Sequence, residues 1–233
     1  MSRVLPILFN TEMVQAILDG RKTVTRRCIK YKYSNTEMKM KTDKYGTRLI
    51  EIQKDVEGET HGKNPDGSTW HKLLPYIEKN PPCKKGNILY VRETWNWYNE
   101  CECKRYIYRA DYGEEHKSGY WKPSIHMPKE AARIFLKVKD VRVERLQDIT
   151  EKQAESEGLK FKAMYCPKDD TFVEIQNPSI DSAATYKNGF TKTWNSTIKK
   201  SDIEKYGWNA NPWVWVIEFE RCEKPEGGNE KRD

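Results

Sequence analysis

A lysine and a threonine three positions apart follow a short helical pattern near the start of the chain. The stretch reads Gly20-Arg21-Lys22-Thr23-Val24-Thr25-Arg26-Arg27. An amine close to a hydroxyl in a positive field suits acyl-transfer chemistry, because the amine can take the hydroxyl proton, and it suits phosphate binding as well. A solvated basic strand is the alternative interpretation.

Geometry restricts how Lys22 and Thr25 could meet. Side chains alternate along a strand, so residues 22 and 25 of one regular strand would point to opposite faces. We therefore expect Lys22 to lie in the turn after Gly20, or a bulge to intervene. Partial burial and the field of the neighbouring arginines would both lower the pKa of Lys22, which favours a neutral amine.

A carboxylate in the second half of the chain is a separate candidate for proton transfer. Thr150 and Gln153 form a capping-box pattern that predicts a short helix ending at Gly158. Glu157 then falls in the last turn, where the helix dipole disfavours a negative charge, and a carboxylate held there suits proton transfer. The alternative is that Glu157 faces water.

The remaining pattern predicts a mainly β structure around these residues. We expect an edge strand over 4–9, because Pro6 cannot donate to a ladder, and a helix begun by Asn10 or Thr11 and ended by Gly20. A strand is predicted over 88–95. The apolar alternation from Ile134 to Val143 changes phase at Asp140, which predicts a bulged and bent strand.

The closing segment predicts a central strand. Trp213, Trp215, Ile217 and Phe219 form one apolar face, and Val214 and Val216 the other. A strand that is apolar on both faces lies inside a sheet.

Composition favours an anionic partner inside the cell. The formal net charge of +7 points to nucleic acid first. The six cysteines are scattered, and the apolar run at 4–9 is too short for a signal peptide or a membrane span, so we expect reduced thiols, a cytoplasmic location and no membrane partner. Cys101 and Cys103 supply only half of a zinc site, and we expect neither a metal nor a cofactor.

The polar segments predict one domain with insertions. We expect a single domain over 1–222, polar insertions at about 31–82 and 161–205, and a mobile polar tail at 223–233. Strand pattern at 47–53 and helical pattern at 70–76 occur within the first insertion, and Phe190, Trp194 and Ile198 recur at helical spacing in the second.

The opening stretch resembles the signature of the ASCH domain family, a branch of the PUA-like superfamily. Gly20, Lys22, Thr25 and Arg27 match its four motif positions. The segments at 91–95, 108–111 and 121–128 look like those of longer bacterial and phage ASCH proteins. The resemblance implies an α+β fold: a small bent β-barrel with short flanking helices.

The resemblance also implies an activity and three candidate catalytic residues. A compact bacterial branch of the family hydrolyses the amide of N4-acetylcytidine with a lysine, a threonine and a glutamate, which match Lys22, Thr25 and Glu157. We expect Thr25 to attack the acyl carbonyl, Lys22 to act as the base and Glu157 to move a proton to the departing amine.

Two further functions remain open at this point. In a non-catalytic module, arginines would contact the phosphates of single-stranded RNA while a tryptophan stacks on a base or modified base. The candidate substrate-binding residues are Arg21, Arg26, Arg27, Glu93, Trp95 and Trp121. Family members that act as ribonucleases offer a third function, and a scaffold whose basic rim is merely solvated is the simplest alternative. No obligate protein partner is implied.

Overall fold

The computed structural model describes most of the chain, with gaps in the polar segments. It describes residues 3–34, 36–44, 46–53, 61–63, 65–66, 69–71, 77–100, 103–112, 120–159, 164–166, 171–173 and 186–225. The tail beyond 225 and the Cys101 half of the cysteine pair lie outside the described residues. None of the helices in these ranges is long and apolar enough to cross a membrane.

The elements confirm a mixed α+β composition. The strands are β1 (Val4–Leu8), β2 (Val24–Cys28), β3 (Thr36–Asp43), β4 (Gly46–Gln53), β5 (His61–Lys63), β6 (Thr69–His71), β7 (Ile77–Glu78), β8 (Ile88–Arg92), β9 (Trp95–Glu100), β10 (Cys103–Tyr108), β11 (Phe135–Arg145), β12 (Met164–Cys166), β13 (Thr171–Val173) and β14 (Trp213–Cys222). The α-helices are α1 (Thr11–Leu18), α2 (Glu151–Ser156), α3 (Tyr186–Thr197) and α4 (Ile203–Tyr206). Short 3₁₀ helices cover Arg109–Asp111, Ser124–His126, Lys129–Ala131, Leu146–Asp148, Lys200–Asp202 and Trp208–Ala210.

The largest sheet among the described strands is a five-stranded mixed sheet. Its order is β1-β8-β11-β14-β2, with β1 and β8 parallel and the other pairs antiparallel. The predicted edge position of β1 is confirmed, and Pro6 therefore leaves no ladder bond unmade inside the sheet. The predicted helix is also confirmed: the Asn10 side chain accepts from the Met13 N–H at 2.8 Å, and Gly20 has φ +75°.

The central strand β14 separates two apolar cores, as its two apolar faces predicted. Ile217 and Phe219 pack with α1, β1 and β8 in one core. Val214 and Val216 pack with α2 and α3 in the other. The helix α3 contributes Phe190 and Trp194 to that second core, which confirms their helical spacing.

The sheet is bent but not closed into a barrel. The register between β11 and β14 shifts between Val138 and Asp140, so the predicted bulge is confirmed. No strand pairing joins β1 to β2 in the described part of the chain, which corrects the expectation of a closed β-barrel. Both edge strands nevertheless line one cavity of about 610 Å³, and the Arg27 Nη2 donates to the Leu8 carbonyl across the gap at 2.6 Å.

The described part of the first polar segment contains an antiparallel hairpin. β3 pairs with β4 in antiparallel register, and β4 also pairs with β7. The strand predicted at 47–53 is confirmed. The helix predicted at 70–76 is wrong at its start, because residues 69–71 form the strand β6, and 72–76 lie outside the described residues.

A buried carboxylate fastens this hairpin to the chain segments that precede and follow it. Glu51 is 1% exposed and accepts from the backbone N–H groups of Lys32 and Tyr33, from the Thr36 hydroxyl and from the Lys79 ammonium. Burial alone would raise the pKa of Glu51, but these hydrogen bonds outweigh it and hold the pKa at about 2. The ionised carboxylate therefore stabilises the folded state.

We expect the stability of the protein to fall in acid through Glu51. Its pKa is lower in the folded state, so its contribution is complete above the unfolded value of about 4.5 and is lost as the pH falls toward about 2. Urea unfolding across this pH range should show the loss. Glu51→Gln should cost about 2 kcal/mol at pH 7 and flatten the pH dependence, since it removes charge-assisted hydrogen bonds. Glu37→Gln on the same hairpin, half-exposed, is the control; an equal cost in both variants would contradict the assignment.

Candidate functional site

Lys22 and Glu157 form a buried ion pair. The Lys22 Nζ lies 2.7 Å from Glu157 Oε2 and donates to the Glu157 carbonyl at 2.9 Å. The two residues are 2% and 8% exposed. The structure therefore brings together two of the three predicted catalytic residues, although 135 positions separate them in the sequence.

The backbone holds the pair in place from both sides. Lys22 lies outside β2, in the turn after Gly20 as predicted, and forms an isolated antiparallel bridge with Glu157. The Lys22 N–H donates to the Ala16 carbonyl of α1 at 3.0 Å. The lysine backbone is thereby tied both to the first helix and to the end of α2.

Gly158 lets the two segments approach this closely. Its φ is +86°, and a Cβ at this position would lie 2.7 Å from the Cβ atoms of both Ala16 and Lys22. A side chain would therefore strain the backbone and also push the lysine turn away from Glu157. The capping box of α2 is confirmed, and the helix ends at Ser156 with Glu157 as its C-cap.

Arg26 holds the second oxygen of the same carboxylate. Its Nη1 lies 3.1 Å from Glu157 Oε1, while its Nη2 lies 3.3 Å from Glu144 Oε2 and 3.1 Å from Gln153 Oε1. The guanidinium is fully buried. Glu157 is thus held between two cations. In the structure Arg26 binds this carboxylate, whereas the sequence predicted that Arg26 would contact a phosphate of the ligand.

Burial lowers the pKa values of two cations near Glu157, Lys22 and Arg27. The pKa of Lys22 is lowered, chiefly because burial disfavours the ammonium, and Arg27 and Arg26 lower it further while Glu157 opposes the shift. This is the direction expected from the sequence. Burial also lowers the pKa of Arg27, again opposed by Glu157.

Thr25 is buried on β2 but does not contact the ion pair. It is 2% exposed and lies opposite Ile217 of β14, on the strand face that also carries Arg27. Within the described residues its hydroxyl makes no hydrogen bond with Lys22 or Glu157. The Lys22 Nζ lies 5.7 Å from the ring centre of Phe9, which packs in the same core as Ile217, the cross-strand neighbour of Thr25.

One cavity reaches the ion pair, and a second lies at the neighbouring sheet edge. The helix cavity, of about 440 Å³, lies between α1, the end of α2 and α3, and Glu157 and Arg21 line it. The edge cavity is the space between β1 and β2 described above, and Arg27 lines it. Arg21 also pairs with Asp19 at 2.7 Å and donates to the Gly158 carbonyl.

The remaining predicted binding residues lie away from the ion pair or are enclosed. Glu93 is 1% exposed and accepts two hydrogen bonds from Arg133, at 2.9 and 3.0 Å, instead of lining an open mouth. Burial raises the pKa of Glu93, which Arg133 opposes. Trp95 is 5% exposed and leaves no open face for a base, whereas Trp121 is half-buried between the rings of Tyr112 and Tyr120.

The described residues hold no group of three or more metal-ligand side chains that could bind a metal ion. The Cys103 backbone is described, but Cys101 lies outside the described ranges. Cys28, Cys83 and Cys222 are free thiols.

The burial and pairing of Arg26 were not predicted, although the residue pattern of β2 indicates them. Val24, Arg26 and Cys28 alternate on one face of β2, and Val24 is in the second core with Cys28 packed against it. An arginine between two apolar positions at strand spacing is expected to be buried and paired. Arg133 gave no comparable signal, because it lies in an irregular segment.

We expect the loss of Glu157 to destabilise the protein more than the loss of Lys22. Glu157→Gln leaves two buried cations without their shared counter-ion and should cost about 3–5 kcal/mol, whereas Lys22→Met leaves Glu157 paired with Arg26 and should cost about half of that. Urea unfolding at pH 7 measures both. Glu155→Gln, exposed on α2, is the control. A greater cost for Lys22→Met would contradict the clamp.

No protein-family model matches the sequence, and neither a curated protein nor a solved structure matches it. The likeness to the ASCH family therefore rests on the motif residues and stays a prediction.

Proposed function

We propose that the chain is an ASCH-type, PUA-like domain that hydrolyses the amide of an acylated nucleobase such as N4-acetylcytidine. Thr25 would be the nucleophile, Lys22 the base and Glu157 the proton relay. The direct, buried contact of the Lys22 ammonium with the Glu157 carboxylate carries the proposal.

Proton sharing within the pair supplies the neutral amine that the reaction needs. Burial penalises the separated charges, and the Nζ–Oε2 distance of 2.7 Å allows a proton to pass from Lys22 to Glu157. The lowered pKa of Lys22 acts in the same direction. Arg26 opposes this transfer by stabilising the carboxylate, so it limits how often the neutral pair forms.

The reaction then balances with these groups and water alone. The Thr25 hydroxyl oxygen bonds to the acyl carbon as its proton moves to the neutral Lys22. The C–N bond breaks as protonated Glu157 gives its proton to the departing amine, which leaves the ammonium–carboxylate pair seen in the structure. Water hydrolyses the acyl-threonine ester through the same groups and releases the acid.

We expect Thr25→Ala and Lys22→Ala to lower kcat/KM for N4-acetylcytidine by about 10²–10⁴-fold, the usual contribution of a positioned nucleophile or base. Chromatographic release of cytidine measures the rate. Thr23→Ala is the matched control, because Thr23 is exposed and lies two positions away on the same segment. Turnover at the parent rate in either variant would exclude the mechanism.

A non-catalytic binding module is the second candidate function. Two observations favour it. Among the described residues the Thr25 hydroxyl makes no hydrogen bond with Lys22 or Glu157, and the Glu157 carboxylate is already paired with two cations, Lys22 and Arg26. Such a module would hold single-stranded RNA or a modified base, with Arg27 available from a cavity.

Salt dependence separates the two functions. A phosphate-driven module should lose at least about tenfold in affinity for a labelled oligoribonucleotide between about 50 and 200 mM salt. Turnover of the uncharged nucleoside should change little over the same range, because no phosphate contact is made. Fluorescence anisotropy and the hydrolysis assay give the two readouts, and gel analysis of the same RNA reports any cleavage. Salt-insensitive RNA binding would contradict the module.

A further inference from the structure

The edge cavity is lined by cations that form no ion pair with a described carboxylate. Arg27, Lys30 and Arg92 line it, and none of them forms an ion pair within the described part of the chain. Lys79 also lines it but is paired with Glu51. No acidic side chain is among the described lining residues. The cavity therefore presents uncompensated positive charge.

Two arginines line this cavity. The Arg27 Nη2 donates to the Leu8 carbonyl at 2.6 Å. Arg92 is the neighbour of Leu8 in the parallel pairing of β1 with β8, and its Nη2 donates to the Ile125 carbonyl. Leu8 is 41% exposed, so the part of the cavity next to it meets solvent. The Arg92 Nε is buried and has no hydrogen-bond partner among the described residues. A buried donor without a partner favours a ligand that can accept from it.

Buried apolar side chains also line the cavity. Leu89 and Ile217 are each 2% exposed, and Trp215 lines the same wall. The volume of about 610 Å³ is within the range of cavities that hold organic ligands. The lining therefore suits a molecule with an anionic group at one end and an apolar or aromatic body at the other.

We propose that the edge cavity binds an organic phosphate of mononucleotide size, with its phosphate at Arg27 and Arg92 and its ring system against Leu89 and Ile217. Arginine favours phosphate because its planar fork donates two parallel hydrogen bonds. Lys30 adds charge at the rim. Ile217 is also the cross-strand neighbour of Thr25, the proposed nucleophile.

This inference deepens the proposed function, on which it rests for the identity of the base: the substrate would be a nucleotide rather than a free nucleoside. The phosphate preference itself requires no turnover. Binding can therefore be measured separately from hydrolysis.

Calorimetric titration with cytidine 5′-monophosphate, cytidine and inorganic phosphate tests the proposal on the full chain. We expect the monophosphate to bind at least about tenfold more tightly than either of the others, because it alone uses both ends of the cavity. Equal affinity for cytidine would overturn the phosphate site. Equal affinity for inorganic phosphate would overturn the apolar half, and no binding of the monophosphate would overturn the whole proposal.

Matched substitutions locate the binding. Arg92→Gln should weaken the monophosphate about tenfold, whereas Arg221→Gln, an exposed arginine on β14, should leave it within about twofold. Lys30→Gln and Lys137→Gln form a second pair of exposed lysines, at the rim and on β11, in case Arg92→Gln fails to fold. Equal losses at the cavity and control positions would overturn the assignment.

Failure of the proposed function remains distinguishable from failure of this inference. Monophosphate binding that persists in Lys22→Ala, without hydrolysis of any acylated cytidine by the parent, would exclude the amidohydrolase but support the phosphate site. The reverse outcome has two parts: N4-acetylcytidine is hydrolysed no faster when it carries a 5′-phosphate, and cytidine and its monophosphate bind equally. That result would support the amidohydrolase and exclude the phosphate site.

Discussion

One buried carboxylate joins three parts of the fold that are distant in the sequence. Glu157 at the end of α2 receives Lys22 from the turn after α1 and Arg26 from β2. Each of the three charges would be costly to bury alone, so the energy of the arrangement depends on all of them being present. The packing of α1 and α2 against the edge strand is therefore coupled to the charge state of one side chain.

The Lys22–Glu157–Arg26 cluster is one end of a longer series of charged side chains along the sheet. Arg26 also contacts Glu144 of β11, and Glu144 accepts from Arg142, which pairs with Glu218 of β14. Alternating signs offset the cost of burial at each step. The exposure of these groups rises outward from Arg26, so solvent screens the outer pairs more than the inner one and they contribute less. The strongest coupling is thus at Glu157.

Local patterns predicted the elements, and the contacts between them were beyond the reach of those patterns. The phase change at Asp140 identified the bulge because a bulge shifts side-chain alternation within a few residues, and the Thr150–Gln153 capping box identified α2 for a similarly local reason. The Lys22–Glu157 contact has no local signature and was expected only through the family resemblance. The burial and pairing of Arg26 were not predicted, because the prediction considered the charge of its neighbours and not its alternation with Val24. The absence of a closed barrel among the described strands was not predicted, because pairing of β1 with β2 depends on how far the sheet curves. Residue types do not specify that curvature.

The open edge and the clamp give the site two approaches with different chemistry. Glu157 is reached from the helix cavity, whereas Arg27 and the strand neighbour of Thr25 face the edge cavity. Phe9 lies between them, with the Lys22 Nζ 5.7 Å and the Arg27 guanidinium carbon 5.0 Å from its ring centre. A ligand phosphate beside Arg27 would offset part of the positive field that lowers the pKa of Lys22. Phosphate binding would then favour the protonated lysine and the closed ion pair, so a nucleotide substrate must place its phosphate far enough from Lys22 to leave proton sharing with Glu157 intact. A phosphate in the part of the edge cavity next to Leu8, where the Arg27 Nη2 donates to the Leu8 carbonyl, would meet both requirements.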